Sequence, residues 1–223
     1  MLKQIFLCGY LFGASIVCQA QLNLSIGHFW VDGPNQDYQI TSISGKLKNA
    51  SWAAKLTLPF IQKAPSNSNE VTQSGLGNGL LKVSKQWKWK KTALRMHGKQ
   101  KFATSDEKVV AAVKDRSFSI ELNQVVGYGI GFVELGHWWR ENKEYKRNDT
   151  WYGAVGYLKP LKPYSMGFIV DHKPTALGEE DSVLSIILKR PLRNALSASI
   201  LIGTGLNESS PNFMLGTQFT QKF

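Results

Sequence analysis

Phe213-Met214-Leu215-Gly216-Thr217-Gln218-Phe219-Thr220-Gln221-Lys222-Phe223 is the stretch whose periodicity decides how the chain folds. Counted in twos, Phe213, Leu215, Thr217, Phe219, Gln221 and Phe223 share one face, and Met214, Gly216, Gln218, Thr220 and Lys222 share the other. Side chains alternate across a β-strand, so this is a strand with a largely apolar face and a polar or small one. Such a strand left at the edge of a sheet would be sticky. A closed barrel in a membrane removes the problem, because lipid covers the apolar face and the first strand covers the edge. An ordinary strand of a soluble sandwich is the alternative on this stretch alone.

The other end favours export. Met1-Leu2-Lys3-Gln4 is a short positive segment, Ile5 to Val17 is an apolar and small-residue run, and Cys18-Gln19-Ala20 precedes Gln21. That is the pattern of a secretory signal peptide over 1–20, leaving 21–223 as the folded domain. A lipoprotein signal using Cys18 is the rival, and Ser15-Ile16-Val17 is a poor approach to a lipidated cysteine. Both cysteines, Cys8 and Cys18, fall inside this segment, so the domain is expected to hold no disulfide, thiolate metal site or cysteine nucleophile.

Beyond it no apolar run approaches the ~20 residues a membrane helix needs. The formal charge is +11, and removing Lys3 leaves +10. On an exported chain that surplus points to lipopolysaccharide or to anionic solutes rather than to nucleic acid. A hydrophobic fraction of 43% with mean hydropathy −0.21 is too polar for a helical membrane protein. It suits a barrel, where only alternate strand residues face lipid.

From Gln21 onward the chain divides into short alternating runs, read as strands over 22–31, 37–47, 51–61, 79–89, 92–102, 116–125, 127–139, 150–158, 164–171, 182–189, 194–203 and 212–223. The connections after even strands are short, such as Lys48-Asn49-Ala50 and Lys90-Lys91; those after odd strands are longer and richer in Gly, Ser, Asn and charge. Short turns on the side of both termini and long loops on the other is the arrangement of an outer-membrane barrel. The expectation is therefore an all-β, antiparallel up-and-down transmembrane barrel of twelve strands, with ten as the competing count. Aromatic residues fall near the strand ends: Trp52, Trp87, Trp89, Tyr157 and Tyr164 toward the short turns, Trp30, Trp138, Trp139, Trp151 and Tyr152 toward the long loops. Two aromatic belts at the two interfaces fit that architecture.

Several segments carry a family resemblance. They are Trp52-Ala53-Ala54-Lys55-Leu56-Thr57-Leu58-Pro59-Phe60, the Gly75-Leu76-Gly77-Asn78-Gly79 opening of the next strand, Lys99-Gln100-Lys101-Phe102-Ala103-Thr104, and Gly203 to Phe213 with its Ser210-Pro211-Asn212 step. In this order they resemble the outer-membrane transporters named for the meta-pathway of phenol degradation. The resemblance implies a twelve-stranded outer-membrane barrel and brings hydrophobic or aromatic cargo as one option. The sequence departs from the pattern at Asn78 and Asn212, where Asp is expected, at Ala103, where Pro is expected, and at Val110-Ala111-Ala112-Val113-Lys114, which replaces a Leu-Gly-Thr-Gly-Lys run. The final strand also resembles the signal read by barrel-assembly machinery, through Phe213, Leu215, Phe219 and Phe223; Gln221 stands where that signal usually has an apolar residue.

If the apolar faces meet lipid, the opposite faces line a lumen. That assigns Lys55, Lys82, Lys88, Arg95, His97, Lys99, Lys101, Glu121 and Lys189 to its wall as candidate solute-contacting residues. Lysines and arginines in a low-dielectric pore favour anions. The expected function is passage of small acidic or aromatic solutes, with outer-membrane lipid, lipopolysaccharide and the assembly machinery as partners and no cofactor.

A lipid-hydrolysing barrel is the enzymatic alternative, and a non-transporting structural or assembly barrel is the third class. Among the four histidines only His137 sits beside an aromatic rim, with no serine within two residues of it. No catalytic set and no metal-ligand spacing stands out. Gly75-Leu76-Gly77-Asn78-Gly79 lacks the Lys-Ser/Thr and helix of a phosphate loop and reads as a flexible surface loop. The mixed-charge stretch Arg140 to Asp149 reads as a solvated face.

Overall fold

The computed structural model describes residues 20–33, 36–64, 71–106, 113–140, 148–174, 179–193 and 195–223. The signal-peptide reading falls almost wholly outside them, as does most of the charged stretch after Arg140. The described residues form thirteen strands: β1 (Gln21–Asp32), β2 (Tyr38–Lys48), β3 (Trp52–Lys63), β4 (Gln73–Leu76), β5 (Gly79–Trp89), β6 (Thr92–Phe102), β7 (Arg116–Val126), β8 (Gly129–Trp139), β9 (Thr150–Leu161), β10 (Tyr164–His172), β11 (Ser182–Pro191), β12 (Leu196–Gly205) and β13 (Phe213–Lys222). Every pairing is antiparallel and follows chain order, except that β3 pairs with both β4 and β5, and β13 returns to β1 with Ile26 opposite Phe219 and Asn23 opposite Lys222. The sheet thereby closes on itself, as a span through lipid requires.

Thirteen strands make twelve staves, because β4 and β5 run consecutively along β3. Phe60 faces Leu76 and Thr57 faces Leu80, so Gly77, Asn78 and Gly79 stand against only Leu58 and Pro59. This is a β-bulge, and it lies opposite a proline, which has no N–H to give a ladder. The Gly77 N–H still donates to the Pro59 carbonyl, at 2.8 Å. The stretch Gly75–Gly79 is therefore part of the wall and not the flexible surface loop expected from its glycines.

The bulge also clasps the chain that follows β6. The Gly79 N–H donates to Thr104 Oγ1 at 2.7 Å, and that hydroxyl donates to the Gly77 carbonyl at 2.9 Å. Asn78 Oδ1 accepts from the Ser105 hydroxyl at 3.1 Å and from the Val113 N–H at 3.2 Å. One bulge thus holds both ends of the long β6–β7 connection.

Alternation sorts the faces. Ile26, Ile43, Leu58, Val83, Ile120, Val133, Val155, Phe168, Ile186, Ile202 and Phe219 are all exposed on the outside. An isolated outward leucine would mean little; a band of such residues around a closed barrel is a lipid-facing surface. Phe213, Leu215 and Phe219 belong to this band, and the Phe223 N–H donates to the Leu22 carbonyl at 2.8 Å. The chain is an outer-membrane β-barrel, and by that architecture the short turns face the periplasm.

At the short-turn rim Trp52, Trp87 and Trp89 lie outside, with the Lys85 ammonium 4.5 Å from the centre of the Trp52 ring. At the long-loop rim the outer belt holds Trp30, Trp139 and Trp151, all exposed. Trp138 and Tyr152 depart from the belt expected for them. They project inward and are buried, at 5% and 8% exposure, because each falls on the opposite parity from its neighbour Trp139 or Trp151.

Candidate functional site

The lumen wall contains a lateral row of four lysines. Lys46 on β2 faces Lys55 on β3, Lys55 faces Lys82 on β5, and Lys82 faces Lys99 on β6. Directly opposed residues bring their Cβ atoms to about 5 Å, and like charges so placed destabilise a sheet. Among the described residues no carboxylate lies within ion-pair distance of Lys46, Lys55 or Lys82. Lys46, Lys48, Lys55, Lys82 and Arg95 line one cavity, so cations from β2, β3, β5 and β6 converge on one space.

The neighbouring wall is built differently. The inward cations of β6 meet acids on the strands beyond it. Arg95 Nη1 donates to Glu121 Oε1 at 2.6 Å, and His97 Nε2 lies 3.2 Å from Glu121 Oε2. Lys99 Nζ is 3.5 Å from Glu134 Oε1, and Lys101 Nζ is 3.3 Å from Asp115 Oδ2. Glu121 and Glu134 stand opposite one another across β7 and β8. Their repulsion is offset by Arg95 and Lys99, by the His97 ring and the Asn123 amide (2.7 Å) on Glu121, and by the Ser119 hydroxyl on Glu134 (2.6 Å).

Above this ladder, toward the long loops, the wall is packed. Lys99 donates to the Tyr152 hydroxyl at 3.1 Å and lies 4.8 Å from the centre of its ring, while Lys101 lies 5.0 Å from the centre of the Trp138 ring. Asp115, Ser117, Ser119 and Val183 are buried around them. Two cavities open toward the short-turn side of the lumen. One cavity of about 360 Å3 is lined by Lys46, Lys55, Lys82, Ser84, Arg95 and His97. A second, of about 620 Å3, shares Arg95 and extends to Glu121, Phe132, Ile169, Ile187 and Lys189.

All nine residues expected on the lumen wall have inward parity. Lys55, Lys82 and Lys99 stand in the lysine row; Arg95, His97, Lys101 and Glu121 stand in the ladder. Lys88 borders the periplasmic mouth near Lys90 and Lys91, and Lys189 lies in the larger cavity. His97 is 2% exposed, packed beside Glu121 at the edge of the smaller cavity. Sequence reasoning missed Lys46, Glu134 and Asp115. Lys46 shares parity with Ser42 and Ser44 against Ile43 and Leu47, and Glu134 alternates with Val133 and Leu135, so both could have been found. Asp115 precedes its strand, where parity gives no guide.

His137 faces outward. Its ring lies edge-on to Trp139 and Trp151, with centroids 4.9 and 4.8 Å away, which makes it part of the aromatic belt.

No protein-family model and no curated protein matches the sequence. Solved structures do. An outer-membrane channel from Pseudomonas putida F1 is similar with a TM-score of 0.68 and 12% identity, over 92% of this chain and 96% of that one. The KdgM porin is similar with a TM-score of 0.64 and 10% identity, over 90% and 99%. A structure of the KdgM porin in complex with disordered oligogalacturonate gives 0.58 and 10%, over 90% and 98%. At these identities the likeness is one of fold, that of an outer-membrane barrel.

Proposed function

We propose that this barrel is a passive channel for small anionic solutes, with Lys46, Lys55 and Lys82 as the wall that selects them. The row of opposed lysines carries the reading. Three adjacent like charges with no carboxylate in ion-pair distance among the described residues cost folding stability, and a permeating anion relieves them only while it passes. Low-dielectric walls focus the field of such a row onto the lumen axis, which raises the local anion concentration. Lys189 and Arg95 extend the field across the second cavity, and Lys88 adds to it at the periplasmic mouth.

The KdgM porin, which shares the fold, is solved with oligogalacturonate, an acidic saccharide. The resemblance to transporters of the meta-pathway of phenol degradation favours aromatic cargo instead. Both are compatible with a carboxylate entering the lysine row, and no chemical step is part of this function. The deciding measurement is the reversal potential of the purified protein in a planar bilayer under a potassium chloride gradient. A chloride-over-potassium preference that weakens at high salt is expected; a potassium preference overturns the proposal.

A further inference from the structure

The lumen opposite the lysine row is apolar where a water-filled barrel is ordinarily polar. Phe132, Ile169 and Ile187 occupy inward positions on β8, β10 and β11, all half-buried, and Leu158 and Ile130 border them. Phe132 lies flat on the wall because its neighbour is Gly156: a Cβ there would come within 2.5 Å of Phe132 Cε1. Gly167 admits Leu158 in the same manner, with a Cβ reaching 3.0 Å from Leu158 Cδ1. The two glycines thus form a floor on which apolar side chains are laid down, with the free side of the Phe132 ring toward the cavity. Lys189 lines the same cavity, as does Arg95 with its partner Glu121, so apolar shelf and cations are within one solute's reach.

The geometry points to a binding site for amphipathic organic anions, with the carboxylate at Arg95 and Lys189 and a flat apolar body on Phe132, Ile169 and Ile187. A polyhydroxylated acid gains the charge contacts but leaves its hydroxyls against aliphatic carbon. An apolar acid gains both. Covering one ring face shifts preference by about tenfold. The shelf is otherwise unexplained, since apolar groups lining an aqueous lumen cost hydration energy and contribute nothing to packing from that side.

This inference rests on the anion-channel reading, and the test separates the two. Reversal potentials are measured at pH 8 with benzoate, galacturonate or chloride as the only anion, for the native protein and for Phe132→Ser and Ile187→Ser. Both variants place a polar group in a lumen, and each is first checked for the heat-dependent gel shift of a folded barrel. Benzoate permeability roughly tenfold above galacturonate is expected, with each variant moving the two toward parity. Equal permeabilities in the native protein, or a benzoate preference untouched by either variant, overturn the shelf while leaving the anion channel standing. A cation preference with every salt overturns both.

Discussion

Lys55 and Lys82 stand directly opposite one another on the lumen face of β3 and β5, and no carboxylate is within ion-pair distance of either among the described residues. Glu121 and Glu134 have the same relationship across β7 and β8, but there Arg95, His97, Lys99 and Ser119 offset the repulsion. One opposed pair is resolved within the fold and the other is left charged. A residual repulsion of that kind is expected where a ligand supplies the missing charge.

Replacing Lys82 with Gln removes the middle of the row while keeping a polar, lumen-compatible side chain. Its folding stability should rise, by about 0.5 kcal/mol from relief of cross-strand repulsion. Its anion-over-cation permeability should fall, roughly threefold. Urea unfolding in detergent micelles and bilayer reversal potentials measure the two, and a stability gain without a selectivity loss would assign the row no role in permeation.

Replacing Glu121 with Gln should have the opposite signature. Arg95 and His97 lose their acid, and the His97 ring is nearly fully buried beside it. The variant should be less stable, by about 2 kcal/mol for partly buried groups left without a charged partner. It should also be more anion-selective, because Arg95 lies on both cavities and would then act with its full charge. Lower selectivity would show that Arg95 does not face the permeation path.

The alternating faces were legible because lipid and lumen impose opposite demands on successive residues, and Lys55, Lys82, Arg95 and Lys99 follow from parity alone. Their lateral alignment was not legible. Register between β2, β3 and β5 depends on turn lengths and on the bulge at Gly77–Gly79, and a one-residue error would separate Lys55 from Lys82. The bulge itself was hidden because its glycines are equally typical of a loop. Proximity to a rim places Trp138 and Tyr152 in the belt, but their parity turns both inward, where they are buried.

The bulge clasp gives a further prediction. Thr104→Val keeps the shape of the side chain but removes the hydroxyl that serves the Gly79 N–H and the Gly77 carbonyl. Two backbone groups lose a partner, at about 1 kcal/mol each. The expected result is a barrel of normal gel mobility whose β6–β7 connection is cut several-fold faster by added protease in intact cells. Unchanged cleavage would mean that the remaining contacts, Asn78 with Ser105 and Val113 and the Asp106 N–H on the Leu76 carbonyl, hold the connection.

The closing strand gives the last. Phe219 faces Ile26 across the seam, and the Phe223 N–H completes the ladder to the Leu22 carbonyl while its ring is 67% exposed on the outside. Deleting Phe223 removes a seam hydrogen bond and an aromatic anchor at the periplasmic interface, together about 2 kcal/mol. Gln221 also has outward parity, opposite Leu24 on β1 and Leu196 on β12, and its amide donates to the Lys222 carbonyl at 3.1 Å. It lies one residue from the end of β13, where headgroups and water tolerate an amide that the bilayer midplane would not. Gln221→Leu should therefore leave assembly unchanged or slightly improved, while the Phe223 deletion should lower the folded, heat-modifiable fraction in outer-membrane preparations several-fold. Equal yields for the deletion and the native chain would leave the seam to Phe213, Leu215 and Phe219.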